Sequence, residues 1–286
     1  MTTPLMRDRV EELARRAQAI DDQPPFSDQS LLELGRGVRR LITVTLDGKP
    51  ADADRKISGA AIIGPDEFEL VVDPDSRQRG LGASLLAEVL AQAPDARSVW
   101  AHGDHPGARA LAKRFGFVAV RTLLQLRAEV PETAARASSL RDGPHLSTFR
   151  PGIDDADWLT LNARAFADHP EQGQLVQRDL DDRISQDWFS PDDFLLVHDD
   201  GELIAFCWLK VEGDIGEFYA VAVDPAKHGG GLGRTLMDAG FARFAEQGIR
   251  TAALYVEADN APALALYHRF GFTQHTIDVR YAKVDD

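Results

Sequence analysis

An aspartate-proline step followed by a glycine-rich loop occurs twice in this chain, and it narrows sharply what the chain can fold into. In the second copy the apolar run Phe218-Tyr219-Ala220-Val221-Ala222-Val223 ends at Asp224-Pro225, and His228-Gly229-Gly230-Gly231-Leu232-Gly233-Arg234 follows. Aromatic and β-branched residues predict a buried strand, and Asp-Pro stops it. The glycines would be costly inside a strand or helix, so they form a loop. Beyond it Leu232, Leu236, Met237, Phe241 and Phe244 recur at roughly helical spacing until Gly248. The unit is strand, glycine loop, helix N-terminus, an arrangement that turns bare backbone N–H groups and a helix dipole towards an anion. It is neither a P-loop, which needs Gly-Lys-[Ser/Thr], nor a dinucleotide fingerprint followed by a ribose-binding acid.

The first copy reads Leu70-Val71-Val72-Asp73-Pro74, then Arg77-Gln78-Arg79-Gly80-Leu81-Gly82-Ala83. A second marker repeats as well: Leu111-Ala112-Lys113-Arg114-Phe115-Gly116-Phe117 matches Leu266-Tyr267-His268-Arg269-Phe270-Gly271-Phe272. Gly80 and Gly231 are 151 residues apart, Gly116 and Gly271 are 155 apart, so the two copies differ by four residues between markers. Two copies of one mixed α/β unit is the economical reading.

The 286 residues suit two domains, each able to bury a core, and 44% hydrophobic with 27% charged residues is a globular composition. No apolar run has membrane-spanning length, and the charged N-terminus lacks a signal-peptide core, so a cytoplasmic location is expected. The single cysteine, Cys207, excludes internal disulfides and cysteine-rich metal sites; inside an apolar strand it reads as a small buried hydrophobe. A net charge of −14 argues against nucleic acid or an anionic membrane as partner. The same charge suits a cationic amine and equally serves solubility alone.

Helices are expected over 4–19, from 31 after Asp28 to Gly35, and over 81–91, 106–115, 156–166, 232–247 and 261–270. Strands are expected over 41–46, 60–63, 68–72, 99–101, 118–126, 146–149, 217–223, 251–256 and 276–282, with 194–197 and 204–211 as a hairpin across Asp199-Asp200-Gly201. The polar, Ala- and Arg-rich stretch 131–143 reads as a linker between domains at 1–130 and 144–286.

The loop His228-Gly229-Gly230-Gly231-Leu232-Gly233 after a strand resembles the acetyl-CoA loop of the GNAT acyltransferase superfamily, usually [Arg/Gln]-x-x-Gly-x-[Gly/Ala]. The first copy fits that pattern fully, whereas His228 departs from it. Asn260-Ala261-Pro262-Ala263-Leu264-Ala265-Leu266-Tyr267 and the following Gly271-Phe272 look like the superfamily run Asn-x-x-Ala-x-x-x-Tyr-x-x-x-Gly-Phe. The resemblance implies tandem domains, each a mixed, largely antiparallel sheet flanked by helices. It implies acetyl-CoA as cosubstrate, direct transfer to an amine, and no metal. In the second domain it places the cofactor against Val221-Ala222-Val223, the loop from His228 to Arg234, and Asn260-Ala261-Pro262-Ala263-Leu264-Ala265. In the first it implies Leu70-Val71-Val72 and Gln78-Arg79-Gly80-Leu81-Gly82-Ala83. Glu217 would take the amine proton and Tyr267 would protonate the departing sulfur; on the residues alone Glu217 is a strand end and Tyr267 a core position. Ala112 stands where Tyr267 does, so the first domain is expected to bind CoA without catalysis.

A tandem pair with only the second copy equipped resembles the mycothiol synthase family, whose members acetylate the cysteinyl amine of cysteinyl-glucosamine-inositol. That likeness rests on Asp28-Gln29 before Leu31-Leu32-Glu33-Leu34-Gly35, on Ala165-Phe166-Ala167-Asp168-His169-Pro170-Glu171-Gln172-Gly173, on Trp208-Leu209-Lys210, and on Leu254-Tyr255-Val256-Glu257-Ala258-Asp259-Asn260. It implies that Asp28, Glu171, Lys210, Glu217 and Tyr255 line the acceptor site, with Asp28 reaching across from the first domain. Asp28 serves equally well as a helix N-cap. Without the resemblance Glu171 is a loop acid, and Lys210 and Tyr255 are ordinary strand residues facing solvent. The competing readings are a GNAT enzyme for another small amine or a protein N-terminus, and a non-catalytic CoA-binding sensor. A monomer with a small-molecule partner is expected. Disrupting Gly80 should lower stability or retained CoA more than turnover; complete loss of turnover in a folded Gly80 variant would contradict a non-catalytic first domain.

Overall fold

The computed structural model describes residues 4–51, 55–132, 144–167 and 172–283. In chain order the elements are α1 (Pro4–Asp21), α2 (Asp28–Gly35), β1 (Arg40–Val44), β2 (Gly59–Ile63), β3 (Glu67–Val72), α3 (Leu81–Gln92), β4 (Ser98–His102), α4 (Pro106–Phe115), β5 (Phe117–Glu129), β6 (His145–Thr148), α5 (Asp155–Ala165), α6 (Gln177–Ile184), β7 (Phe194–Asp199), β8 (Glu202–Glu212), β9 (Ile215–Val223), α7 (Leu232–Glu246), β10 (Thr251–Glu257), α8 (Ala261–Arg269) and β11 (Thr273–Lys283). Most expected elements are present with boundaries moved by a few residues. Helix α6 was not expected, because its eight residues are mostly charged or polar and only Leu180 is buried on it. Ser27, not Asp28, is the N-cap of α2: its side chain accepts the N–H of Ser30. The expected linker 131–143 lies almost wholly outside the described residues.

Two compact units result, and they do not follow chain order. The first holds Met1–Leu124 with Thr276–Asp286, the second Gln125–His275. In the first, β1, β2 and β3 pair antiparallel, β3 and β4 pair in parallel, and the last strand of the chain, β11, closes antiparallel on β4. In the second, β6 to β9 pair antiparallel in sequence order and β9 pairs β10 in parallel. Within each unit the strand pairing is therefore mixed and largely antiparallel, with the parallel step next to the glycine loop, as the repeat requires.

The cores follow from the apolar faces. In the first unit Leu81, Leu85, Leu86 and Val89 of α3 pack with Ala61, Ile63 and Phe68, and Val279 and Tyr281 of β11 complete that cluster. The Tyr281 hydroxyl donates to Asp104 at 2.7 Å. In the second unit one sheet face carries an aromatic core in which Trp208 stacks on Phe194 at 4.2 Å and meets Trp158 edge-on at 5.6 Å. The other face takes α7. Phe218 meets Phe241 and Phe244 at 5.3 and 5.1 Å, and this close approach needs glycine: a Cβ on Gly216 would run into Phe244, and one on Gly240 into Phe218.

Because β11 fills the first unit's core, Val279→Ala should destabilise the protein by about 1–3 kcal/mol. By hydrogen exchange the loosened amides should lie in β2 and β4. Loosening confined to β7 and β8 would refute the assignment of β11 to the first unit.

Candidate active site

The Asp-Pro step has one physical cause in both copies. Asp224 caps a short 3-10 turn at Pro225–Lys227 by accepting the N–H of Ala226 at 2.9 Å, and Asp73 accepts that of Asp75 at 3.1 Å. Both carboxylates are buried and paired with arginine: Asp224 with Arg164 at 2.6 Å, Asp73 with Arg16 at 2.8 Å. The turn swings the chain into the glycine loop. Gly231 and Gly80, each at φ 82°, take the left-handed conformation that begins α7 and α3. Gly233 and Gly82 lie against Leu266 of α8 and Leu111 of α4, where a Cβ would be tight. The first N–H groups of α7 and α3 have no partner within their helices and face out of the loop, so both loops suit a phosphate-bearing group.

His228 departs from the familiar pattern without losing its geometry. Its Nε2–H donates to the Val223 carbonyl at 3.1 Å, and at the matching place Arg77 Nε–H donates to the Val72 carbonyl at 3.1 Å. Asn260 caps α8 through the N–H of Ala263 at 3.2 Å, as His105 caps α4 through that of Gly107 at 3.0 Å. Ala261, Pro262, Ala263, Leu264 and Ala265 are the opening residues of α8.

Between β9 and β10 lies a fork. Their parallel pairing runs from Thr251↔Ile215 to Leu254↔Phe218 and stops there, though both strands continue. On the other edge of β9, Trp208 opposes Ala220 and Leu209 opposes Phe218, so Tyr219 is the extra residue of a bulge. The segment 219–223, which includes Val221, Ala222 and Val223, thus borders the opening.

Glu217 and Lys210 are cross-strand partners on β9 and β8. Burial raises the Glu217 carboxyl above the usual range; Lys210 opposes this and Glu212 adds to it. Burial alone would lower the Lys210 ammonium, but its 2.7 Å ion pair with Glu212 and the field of Glu217 raise it overall. Tyr267 stands on α8 with its ring 5.9 Å from Phe272. Burial, and then the nearby Cys207, push its phenol up to about 12, so it is protonated at neutral pH. Cys207 is fully buried and its thiol is raised by that burial, which makes it inert, as its sequence setting implies.

Glu217, Lys210, the loop 228–234, Asn260 and Tyr267 all belong to the second unit. Tyr255 does too; it is exposed on β10 and its hydroxyl accepts from Gln125 Nε2 at 2.6 Å. Glu171 lies outside the described residues. Asp28 opens α2 in the first unit, and its side chain is likewise outside them. In the first unit Leu70, Val71 and Val72 lie on β3, and Gln78, Arg79, Gly80, Leu81, Gly82 and Ala83 form the loop and the start of α3. Buried Ala112 occupies the place of Tyr267.

The first unit's own fork carries different chemistry. Pairing of β3 with β4 stops after Phe68↔Val99. Just beyond, His102 Nε2 is 3.5 Å from Glu69 and Nδ1 3.3 Å from Asp278. Burial would discharge the imidazole, but hydrogen bonds to Asp278 and Glu69 outweigh it and hold its pKa at about 10. Glu69 also accepts the backbone N–H and the hydroxyl of Ser27 at 3.0 and 2.9 Å. Sequence reading missed this cluster because its members are spread from residue 27 to residue 278. It also missed Trp188, whose ring lies 5.4 Å from Lys210 Nζ and 5.2 Å from the Tyr219 ring.

The chain matches the acetyltransferase (GNAT) family model at residues 9–117 and again at 158–272. A mycothiol acetyltransferase of Clavibacter michiganensis subsp. michiganensis is 48% identical over 98% of this chain and 92% of that protein. One of Streptomyces coelicolor is 42% identical over the same shares. Among solved structures, a GCN5-related N-acetyltransferase from Sphaerobacter thermophilus superposes with a TM-score of 0.73 at 19% identity, covering 98% of this chain and 92% of that one. A tandem GNAT protein from the clavulanic acid biosynthesis pathway gives 0.70 at 17%, covering 98% and 95%. These two show a shared fold. No described helix is long and apolar enough to cross a membrane.

By carboxyl NMR, Glu217 should titrate above the ordinary glutamate range, and higher still in Lys210→Met, which removes the opposing ammonium. Ordinary titration in both proteins would refute the assigned environment.

Proposed function

Since this chain belongs to the acetyltransferase (GNAT) family and, within it, to the mycothiol acetyltransferases, we propose that it moves the acetyl group of acetyl-CoA to the cysteinyl amine of cysteinyl-glucosamine-inositol, and that the second unit does the chemistry. The observation that carries the choice of unit is the contrast at one position: a protonated phenol at Tyr267 in the second unit, a buried methyl at Ala112 in the first.

The GNAT enzymes use acetyl-CoA, and the second unit has the parts such a cosubstrate needs. The N–H groups at the start of α7 and of the loop 228–234 donate to its pyrophosphate oxygens. The pantetheine arm enters the fork along Val221, Ala222 and Val223, between the loop and the opening residues of α8, and a strand N–H beside the fork steadies the thioester oxygen as charge develops there. Glu217, raised by burial, takes a proton from the incoming ammonium. The amine nitrogen bonds to the acetyl carbon as the carbon–sulfur bond breaks, Tyr267 gives its proton to the departing sulfur, and the second proton released by the nitrogen as the amide forms restores the phenol. Lys210, Tyr255 and Glu171 hold the acceptor. Acidic groups suit its ammonium and hydroxyls, and the net charge of −14 favours its approach. The first unit keeps its loop and binds CoA without turnover. We take the protein to act as a cytoplasmic monomer.

A second reading, acetylation of a different small amine, uses the same catalytic parts. Mass spectrometry of the purified protein with acetyl-CoA and either cysteinyl-glucosamine-inositol or other amines separates them. Acetylated cysteinyl-glucosamine-inositol formed with turnover is expected; product only from another amine would overturn the acceptor. Tyr267→Phe should lower kcat by about 10²-fold or more with little change in acceptor KM. Glu217→Gln should lose comparably, together with the acid limb of the kcat/KM profile, because the base works only ionised and activity falls as pH drops through its raised pKa. Unchanged kcat in Tyr267→Phe would remove the phenol from the mechanism.

A further inference from the structure

Beside Glu217 the second unit has a pocket that none of the assigned residues accounts for. It is about 510 Å³ in volume and is lined by Ser185, Gln186, Asp187, Trp188, Glu212 and Gly213. The size is that of a small-ligand site. The lining combines one indole with four polar side chains. It comes from the end of α6, the stretch after it, and the β8–β9 turn.

Position ties the pocket to the reacting centre. Lys210 faces Glu217 across the strands, and Glu212 lies two residues further along β8 on the same face, ~7 Å away at strand rise. Lys210 joins the two places physically. Its ammonium is 2.7 Å from Glu212 and 5.4 Å from the Trp188 ring. Trp188 is half-buried, and its ring is fixed against Trp208 at 5.9 Å and Tyr219 at 5.2 Å. A rigid aromatic surface beside hydrogen-bonding side chains matches a ring that is apolar on its face and hydroxyl-rich at its edge. A second cation is the poorer fit, because the Lys210 ammonium already pairs with Glu212 at 2.7 Å and would repel it.

We propose that this pocket is the subsite for the hydroxylated, non-reacting sugar end of the acceptor, with Trp188 as its platform and Gln186, Asp187 and Glu212 as its polar wall. The inference rests on the acceptor reading above. It adds that affinity for the acceptor is won here, away from the amine. Contacts made equally in ground and transition state lower KM and leave kcat alone.

The test compares two acceptors with full-length enzyme, following CoA release: cysteinyl-glucosamine-inositol, and cysteine methylamide, which offers the same cysteinyl amine without the sugars. Wild type should show a KM at least ~10-fold lower for the full acceptor. Trp188→Ala should raise that KM by ~10-fold or more, with its kcat within about twofold and the KM for cysteine methylamide unmoved. Gln186→Ala and Asp187→Ala, at exposed positions, should move the same KM in the same direction; they decide the matter if Trp188→Ala does not fold. Equal KM for the two acceptors in wild type, or equal KM changes for both in the variants, overturns the subsite while leaving the acetyltransferase reading intact. If wild type acetylates neither acceptor, the acceptor reading falls and the subsite falls with it.

Discussion

The parting of β9 from β10 after Phe218 is the constraint on which the second unit depends. Two strands that stop pairing leave backbone groups needing another partner, and such a gap persists only if both sides are held from behind. Here β9 is held by β8 through a bulge at Tyr219, and by α7, whose approach is set by Gly216 and Gly240. Its end is pinned by the Asp224 turn, the Arg164 ion pair and the His228 bond to Val223. The same contacts aim the loop and the α7 N-terminus. A phosphate cradle and an open strand edge therefore come from one piece of packing.

The two units share this framework and diverge in the side chains at the fork. Loop, Asp turn, helix cap and strand-end anchor recur in both units, even where Arg77 becomes His228 and His105 becomes Asn260. At the fork the first unit carries buried Glu69, charged His102 and Asp278, while the second carries Glu217 opposite Lys210, with Tyr267 on α8. The cluster in the first unit sets its histidine between two carboxylates and ties the start of α2 to the sheet through Ser27. Glu217 is placed differently: burial raises it and only Lys210 opposes the shift, which is how a carboxylate is tuned towards proton transfer.

Much of this was legible in the sequence because the repeated motifs are local. Asp224-Pro225 and the loop glycines name a turn and a left-handed helix start whatever surrounds them, and Leu85, Leu86 and Val89 print a helix face directly. What escaped depends on long-range contact. Helix α6 is short and mostly charged, and a single buried residue is too small an apolar stripe to see. That β11 completes the first unit's core is invisible, since its apolar alternation would fit either sheet. The raised Glu217 and the Lys210–Trp188 contact arise from three elements meeting, and no window of sequence contains them. Ser27 displaced Asp28 as cap because either residue type can do it and the register of the first turn decides.

The most direct test of a single reacting centre per chain is titration with a bisubstrate analogue in which the acceptor amine is joined through an acetyl bridge to CoA, read by calorimetry and by hydrogen exchange. The account expects one equivalent bound far more tightly than CoA itself, with protection gained over 219–223 and 228–234 in the second unit, and any second equivalent bound no more tightly than CoA. Two equivalents that both bind more tightly than CoA, or protection confined to 70–72 and 77–83 of the first unit, would contradict it.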